Sequence, residues 1–129
     1  MRGGGRRGAH PVLVTPVHRR HFDAQGKIKN TLGVYPEAVR MLAVEEDVPL
    51  IDLNLMSGRL YEALGPEKAP LAFANDGKDL THNNAYGAYL LAECVVEGIK
   101  ANVPELAGRL MRDLPPFDVS RPAPDGLFL

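Results

Sequence analysis

Two uninterrupted apolar runs, "HPVLVTPV" (10–17) and "VPLIDL" (Val48–Leu53), limit most strongly what this chain can fold into. Short runs of this kind, rich in β-branched residues and bounded by prolines, look like strands buried on both faces. Such strands belong to parallel sheets covered by helices. Between the runs a helical period sets in. Leu32, Val39, Leu42 and Ala43 recur at helical spacing with Tyr35 beside them, and Pro36, tolerated only near a first turn, places the start around Val34–Pro36. After the second run, "NLMSGRLYEALG" predicts a helix with Leu55, Leu60 and Leu64 inward, stopped by Gly65 and Pro66. "PEKAPLAFANDGKD" reads as a loop. The longest helix is expected from Asn84 to about Asn102, with Leu90, Leu91, Val95 and Ile99 on one face.

Strand, helix, strand, helix, loop, helix is the order of an α/β fold with a parallel sheet. The chain divides into a flexible Gly/Arg start over 1–9, one α/β domain over 10–112 and a Pro-rich tail over 113–129. The tail has four prolines in its last 16 residues and is expected to be extended or disordered. Two strands make a very small sheet whose edges three helices cannot cover. The expectation is therefore either an unusual minimal fold or the back half of a larger one, and self-association in either case, since an uncovered apolar strand is a template for pairing.

At 129 residues there is room for one modest core. Fifteen Lys and Arg against 16 Asp and Glu leave a net charge of −1, which gives no reason to propose a nucleic-acid partner. The only local basic excess is Arg2, Arg6 and Arg7. No stretch approaches 18 apolar residues, so no membrane span is expected. The start lacks the apolar core of a secretory signal, and the chain as given reads as cytoplasmic. The single cysteine, Cys94, lies inside the last apolar helix and reads as a buried, inert thiol.

Chemistry concentrates in "DLTH". Asp79 and His82 stand three residues apart just ahead of the longest helix. On one reading Asp79 or Thr81 caps that helix and His82 is a surface residue. On the other, Asp79 reaches back to the Nδ1–H of His82 and fixes the tautomer of a general base. Ser57 is the first candidate nucleophile, because the first turn after "PLIDLN" lies at the ligand-binding edge of a doubly wound sheet. The alternative for Ser57 is a capping role at the start of its helix. Ser120 lies in the tail, and Thr15, Thr31 and Cys94 are weaker candidates. "HRRH" follows the first strand, and Arg19 and Arg20 could grip a substrate carboxylate bidentately, or be no more than a solvated loop. His18 and His21 lack the company a metal site needs, so no metal or other cofactor is expected. "NDGKD" fits a β-turn better than a calcium loop.

The stretches "GAHPVLVTPVHRRHFDAQGKI", "YPEAVRMLAVEEDVPLIDLN" and "DLTHNNAYGAYLLAECVVEGIKANVPEL" together resemble the C-terminal half of the GDSL/SGNH hydrolases, in the rhamnogalacturonan acetylesterase-like branch. The resemblance implies a partial flavodoxin-like, three-layer fold. It also implies hydrolysis of short-chain acyl or acetyl esters, pectic sugars included, with Asp79 and His82 as orienter and base. The family's serine block and oxyanion-donor block precede the first strand seen here and are absent from this sequence, and Asn83 stands where a bulkier residue is expected. Two expectations follow. One is a truncated ester hydrolase whose Asp-x-x-His pair acts on a serine or a water. The other is a catalytically vestigial half-domain that self-associates.

Overall fold

In the computed structural model, which describes residues 8–124, two short parallel strands carry the chain's topology. Strand β1 (Leu13–Val14) pairs with β2 (Leu50–Ile51), Leu13 opposite Leu50 and Val14 opposite Ile51. Helix α1 (Tyr35–Glu45) makes the crossover between them, and α2 (Leu53–Lys68) leaves β2 directly. A 3-10 turn at Ala69–Ala72 leads to the loop before α3 (Ala85–Asn102), and the short α4 (Pro104–Ala107) follows. The Gly/Arg start with Arg2, Arg6 and Arg7 lies outside the described residues, as does the tail beyond Pro124. The architecture is the expected α/β arrangement, a small parallel sheet flanked by helices.

The first run is not a strand buried on both faces. Only Leu13 and Val14 pair, and Val14 is exposed. The reason is that β1 has β2 as its sole neighbour among the described residues. The side chains that a wider sheet would bury therefore meet solvent. The same holds on α1, where Leu42, one of the periodic residues, and Tyr35 beside them are exposed and only Pro36 and Ala43 are buried.

The core lies between α2 and α3 instead. Leu53, Leu60, Tyr61, Phe73, Tyr86, Leu90 and Cys94 form one cluster, with Val17, Phe22 and Ile28 of the loop after β1 packed against it. Leu55 faces out while Leu53 and Tyr61 face in, because α2 begins at Leu53, directly after β2. Gly65 breaks the helix as expected. Its backbone adopts φ 77° and ψ 168°, a non-helical conformation that favours glycine, and a short second helical segment runs on from Pro66 to Lys68. Cys94 is fully buried, and burial pushes its thiol up to about 12, with Glu93 adding to the shift.

A polar clamp fastens α1 to the carboxyl ends of the strands. Asp52 caps α2 through the Leu55 amide, accepts from Thr15 Oγ1 at 2.8 Å and takes Arg40 Nε at 2.9 Å. Arg40 also donates to Asn54 Oδ1, and Asn54 Nδ2 donates to the Pro16 carbonyl. Burial works to raise the Asp52 carboxyl, but the Arg40 and Thr15 hydrogen bonds outweigh it and the net shift is downward. The described part of the tail has no helix or strand and is docked on α3. Phe117 and Val119 pack against the core, and the Phe117 amide donates to Glu97 Oε1. No helix among the described residues is long and apolar enough to cross a membrane.

Candidate active site

The loop from Phe73 to Asn84 holds Asp79 and His82, and its own sequence explains its shape. Asn75, Asp76 and Gly77 take φ of 56°, 53° and 80°, a left-handed run that suits Asn, Asp and Gly. At Gly77 a side chain is excluded as well, since a Cβ would stand 2.7 Å from the Pro70 carbonyl oxygen. The chain then doubles back. The Ala74 amide donates to the His82 carbonyl, Phe73 bridges Asn83, and the Asn84 amide donates to the Ala72 carbonyl. Asn83 turns inward to the Tyr61 hydroxyl and the Ala72 carbonyl, bonds that a bulkier apolar side chain there could not make. Asn84 caps α3 through the Gly87 amide.

Because Asn84 is the cap, neither Asp79 nor Thr81 has that role. Asp79 Oδ1 instead accepts from the amides of Thr81, at 2.7 Å, and His82, at 2.8 Å. Its second oxygen lies 3.1 Å from His82 Nδ1. The His82 and Thr81 amides, helped by the His82 side chain, hold the Asp79 carboxyl down to about 2. An ionised carboxylate only accepts hydrogen bonds, so Nδ1 must carry the proton and Nε2 of a neutral His82 keeps its lone pair. The His82 side chain is 78% exposed, which leaves Nε2 open to a reactant.

The depressed Asp79 carboxyl makes a pH prediction. A group whose folded value lies below its unfolded one contributes stability that is present above about pH 4 and is lost as pH falls towards about 2. Carbon-detected NMR titration of Asp79 is expected to show its midpoint near 2. Asp79→Asn is expected to flatten the acid limb of stability over that window, and a midpoint near the ordinary aspartate value would contradict the geometry.

The other candidates are placed differently. Ser57 is fully buried. Its hydroxyl donates to the Asn54 carbonyl and accepts from the His18 amide at 3.0 Å, so it fastens the loop after β1 to α2 and presents nothing to an ester. Ser120 donates to Asp118 Oδ1 on the tail. Thr15 is buried in the Asp52 clamp, and Thr31 Oγ1 is buried without a partner. Arg20 turns inward, its NH2 donating to the carbonyls of Gly77 and Asp79 and its guanidinium lying 5.0 Å over the Phe73 ring, so NH2 is already committed to the loop. Arg19 is exposed, with NH1 on the Thr31 carbonyl. His18 is half-buried and its pKa is lowered, chiefly by burial and then by Arg40. No three His, Cys, Asp or Glu side chains among the described residues converge as a metal site. An open hollow of about 420 Å³ beside the turn is lined by Pro70, Phe73, Asp76, Gly77 and Asn84 rather than by Asp79 or His82. Asp79 and His82 thus stand on an open surface.

The chain has clear relatives. It is 47% identical over 105 residues to rhamnogalacturonan acetylesterase RhgT of Bacillus subtilis (strain 168), a match covering 73% of this chain and 45% of the relative. The probable rhamnogalacturonan acetylesterase YesY of the same organism is 39% identical over 100 residues, covering 76% of this chain and 46% of the relative. Among solved structures, the crystal structure of YxiM from Bacillus subtilis superposes with a TM-score of 0.70 at 32% identity, over 78% of this chain and 28% of that one. The chain thus spans about half the length of the two acetylesterases it matches. No protein-family model matches it.

Proposed function

Since the chain belongs with the GDSL/SGNH hydrolases of the rhamnogalacturonan acetylesterase-like branch over the three quarters of its length that match, we propose that it acts on carboxylic esters with His82 as general base and Asp79 as its orienter. The observation that carries this reading is the 3.1 Å contact from Asp79 to Nδ1 of a histidine whose other nitrogen is open. Nε2 takes the proton of an attacking hydroxyl, a water or a serine, as its oxygen bonds to the ester carbonyl carbon. The carbonyl–alkoxide bond then breaks, and the departing alcohol takes the proton back from Nε2. With water the products are the free acid and the alcohol. With a serine, a second round releases the acyl group. Asp79, held at about 2, stays ionised throughout and stabilises the imidazolium between the two transfers.

The proposed substrate is an acetyl ester on an acidic, pectin-type sugar. Acetyl esters follow from the names of the relatives, and the exposed Arg19 is the side chain available to bind a sugar carboxylate. Acetate release from acetylated rhamnogalacturonan is expected to exceed the His82→Ala background, and release unchanged by that substitution would refute the proposal.

The second reading, a self-associating structural module, is favoured by one observation. Val14 on β1 and Val34, Tyr35, Met41 and Val44 at α1 are all exposed. We propose that a second copy covers this apolar surface, as two-fold pairing of like surfaces would. Sedimentation at micromolar concentration is expected to show a dimer or larger species, and a well-folded monomer would exclude it. Hydrolysis that depends on His82 separates the two readings, because self-association alone makes no use of His82.

A further inference from the structure

We propose that Arg20 is the positioning residue of the Asp79–His82 pair, a role that rests on the reading of that pair as acid and base. Arg20 lies on the loop after β1, far from the pair in sequence, yet it holds the segment that presents Asp79 at several points. Its amide donates to the Leu80 carbonyl at 2.8 Å. Its guanidinium donates through NH2 to the carbonyls of Gly77 and Asp79. The same guanidinium lies over the face of Phe73, which itself bridges Asn83 just after His82 and packs on Tyr61 with ring centroids 5.1 Å apart. Arg20 is thus set between the start of the loop, at Phe73, and the residues that precede His82.

The consequence passes through Asp79. The carboxylate makes all three of its contacts to the next three residues, with Oδ1 on the Thr81 and His82 amides and Oδ2 on His82 Nδ1. Those contacts depend on where the Asp79 backbone stands, and Asp79 and His82 are both near the surface. Arg20 supplies the rigid support. Its Nε is buried without a hydrogen-bond partner, so the outer NH2 is the part of the guanidinium the fold keeps engaged. A planar guanidinium can stack on a ring and donate to two carbonyls at once. A lysine ammonium, a compact point charge on a flexible stem, cannot hold both in register.

The test reads the tautomer of His82 in the full chain from imidazole ¹⁵N shifts at alkaline pH, where the ring is neutral. Wild type is expected to be dominated by the Nδ1–H form, and Asp79→Asn to lose that bias. Arg20→Ala is expected to lower the Nδ1–H to Nε2–H ratio roughly tenfold, the equilibrium worth of about one hydrogen bond, with Arg20→Lys in between. In ester turnover, Arg20→Ala is expected to lower kcat with KM little changed. A folded Arg20→Ala protein that keeps the wild-type tautomer ratio overturns the proposal, whether or not its unfolding midpoint falls. So does a rise in KM alone, which would mark a substrate contact. If Arg20→Ala does not fold, Arg20→Lys decides the matter by the same ratio. A tautomer bias that responds to Arg20 in a protein with no His82-dependent hydrolysis supports Arg20's hold on the pair and defeats the esterase reading instead.

Discussion

Gly87→Ala is expected to be among the most damaging single substitutions for the fold, costing about 2–4 kcal/mol. A Cβ at this position would stand 2.1 Å from the Ala72 carbonyl oxygen and 2.9 Å from Asn83 Nδ2. Both neighbours are committed, because Ala72 O accepts from the Asn84 amide and from Asn83 Nδ2. Relief would require α3 to move off the 3-10 turn, breaking those bonds. The better helix propensity of alanine returns at most about 1 kcal/mol, so overpacking wins. Gly98 makes a useful comparison. A Cβ there meets the buried Ile51 at Cγ2 (2.6 Å) and Cγ1 (3.2 Å), a β-branched side chain with little freedom at χ1, so Gly98→Ala is expected to destabilise as well, against a side chain rather than the backbone carbonyl met at Gly87. Urea titration checks both, as a fall in midpoint with little change in slope. An unchanged midpoint for Gly87→Ala would contradict the packing described here.

The second large effect is on chemistry. Asp79→Asn is expected to lower kcat for ester hydrolysis by about 10²-fold or more, with KM little changed. Asparagine can point its amide NH₂ at His82 Nδ1, which favours the Nε2–H tautomer and removes the lone pair that takes the proton. It also carries no charge to stabilise the imidazolium. The Asp79 side chain is only partly exposed, at 31%, so water does not fully replace it. Stopped-assay kinetics at neutral pH separate the two parameters. A rise in KM with kcat intact would assign Asp79 to binding instead.

What could be read from the sequence depended on whether the cause was local. The helix from Asn84 to Asn102 was legible because its cap residue and its apolar period are carried within the element. The Asp79–His82 contact was legible because it spans three residues in one loop. Leu55 was misplaced because apolar spacing alone does not show where α2 starts, and a short sheet left Val14 and Tyr35 uncovered. Ser57 could not be judged from spacing, since its partners include the His18 amide across the fold. Arg20 is the sharpest case. In "HRRH" it has the same standing as Arg19, and only the tertiary structure turns one inward to the Gly77 and Asp79 carbonyls while the other faces out. A loop-to-loop contact of that kind leaves no periodic or compositional trace in the sequence.

The most direct measurement of the central claim is the rate of p-nitrophenyl acetate hydrolysis by the full chain beside His82→Ala, at matched concentration and with both proteins shown to be folded. If His82 is the base, the wild type is faster by about 10²–10⁴-fold, the ordinary contribution of a positioned general base. Equal rates would contradict it.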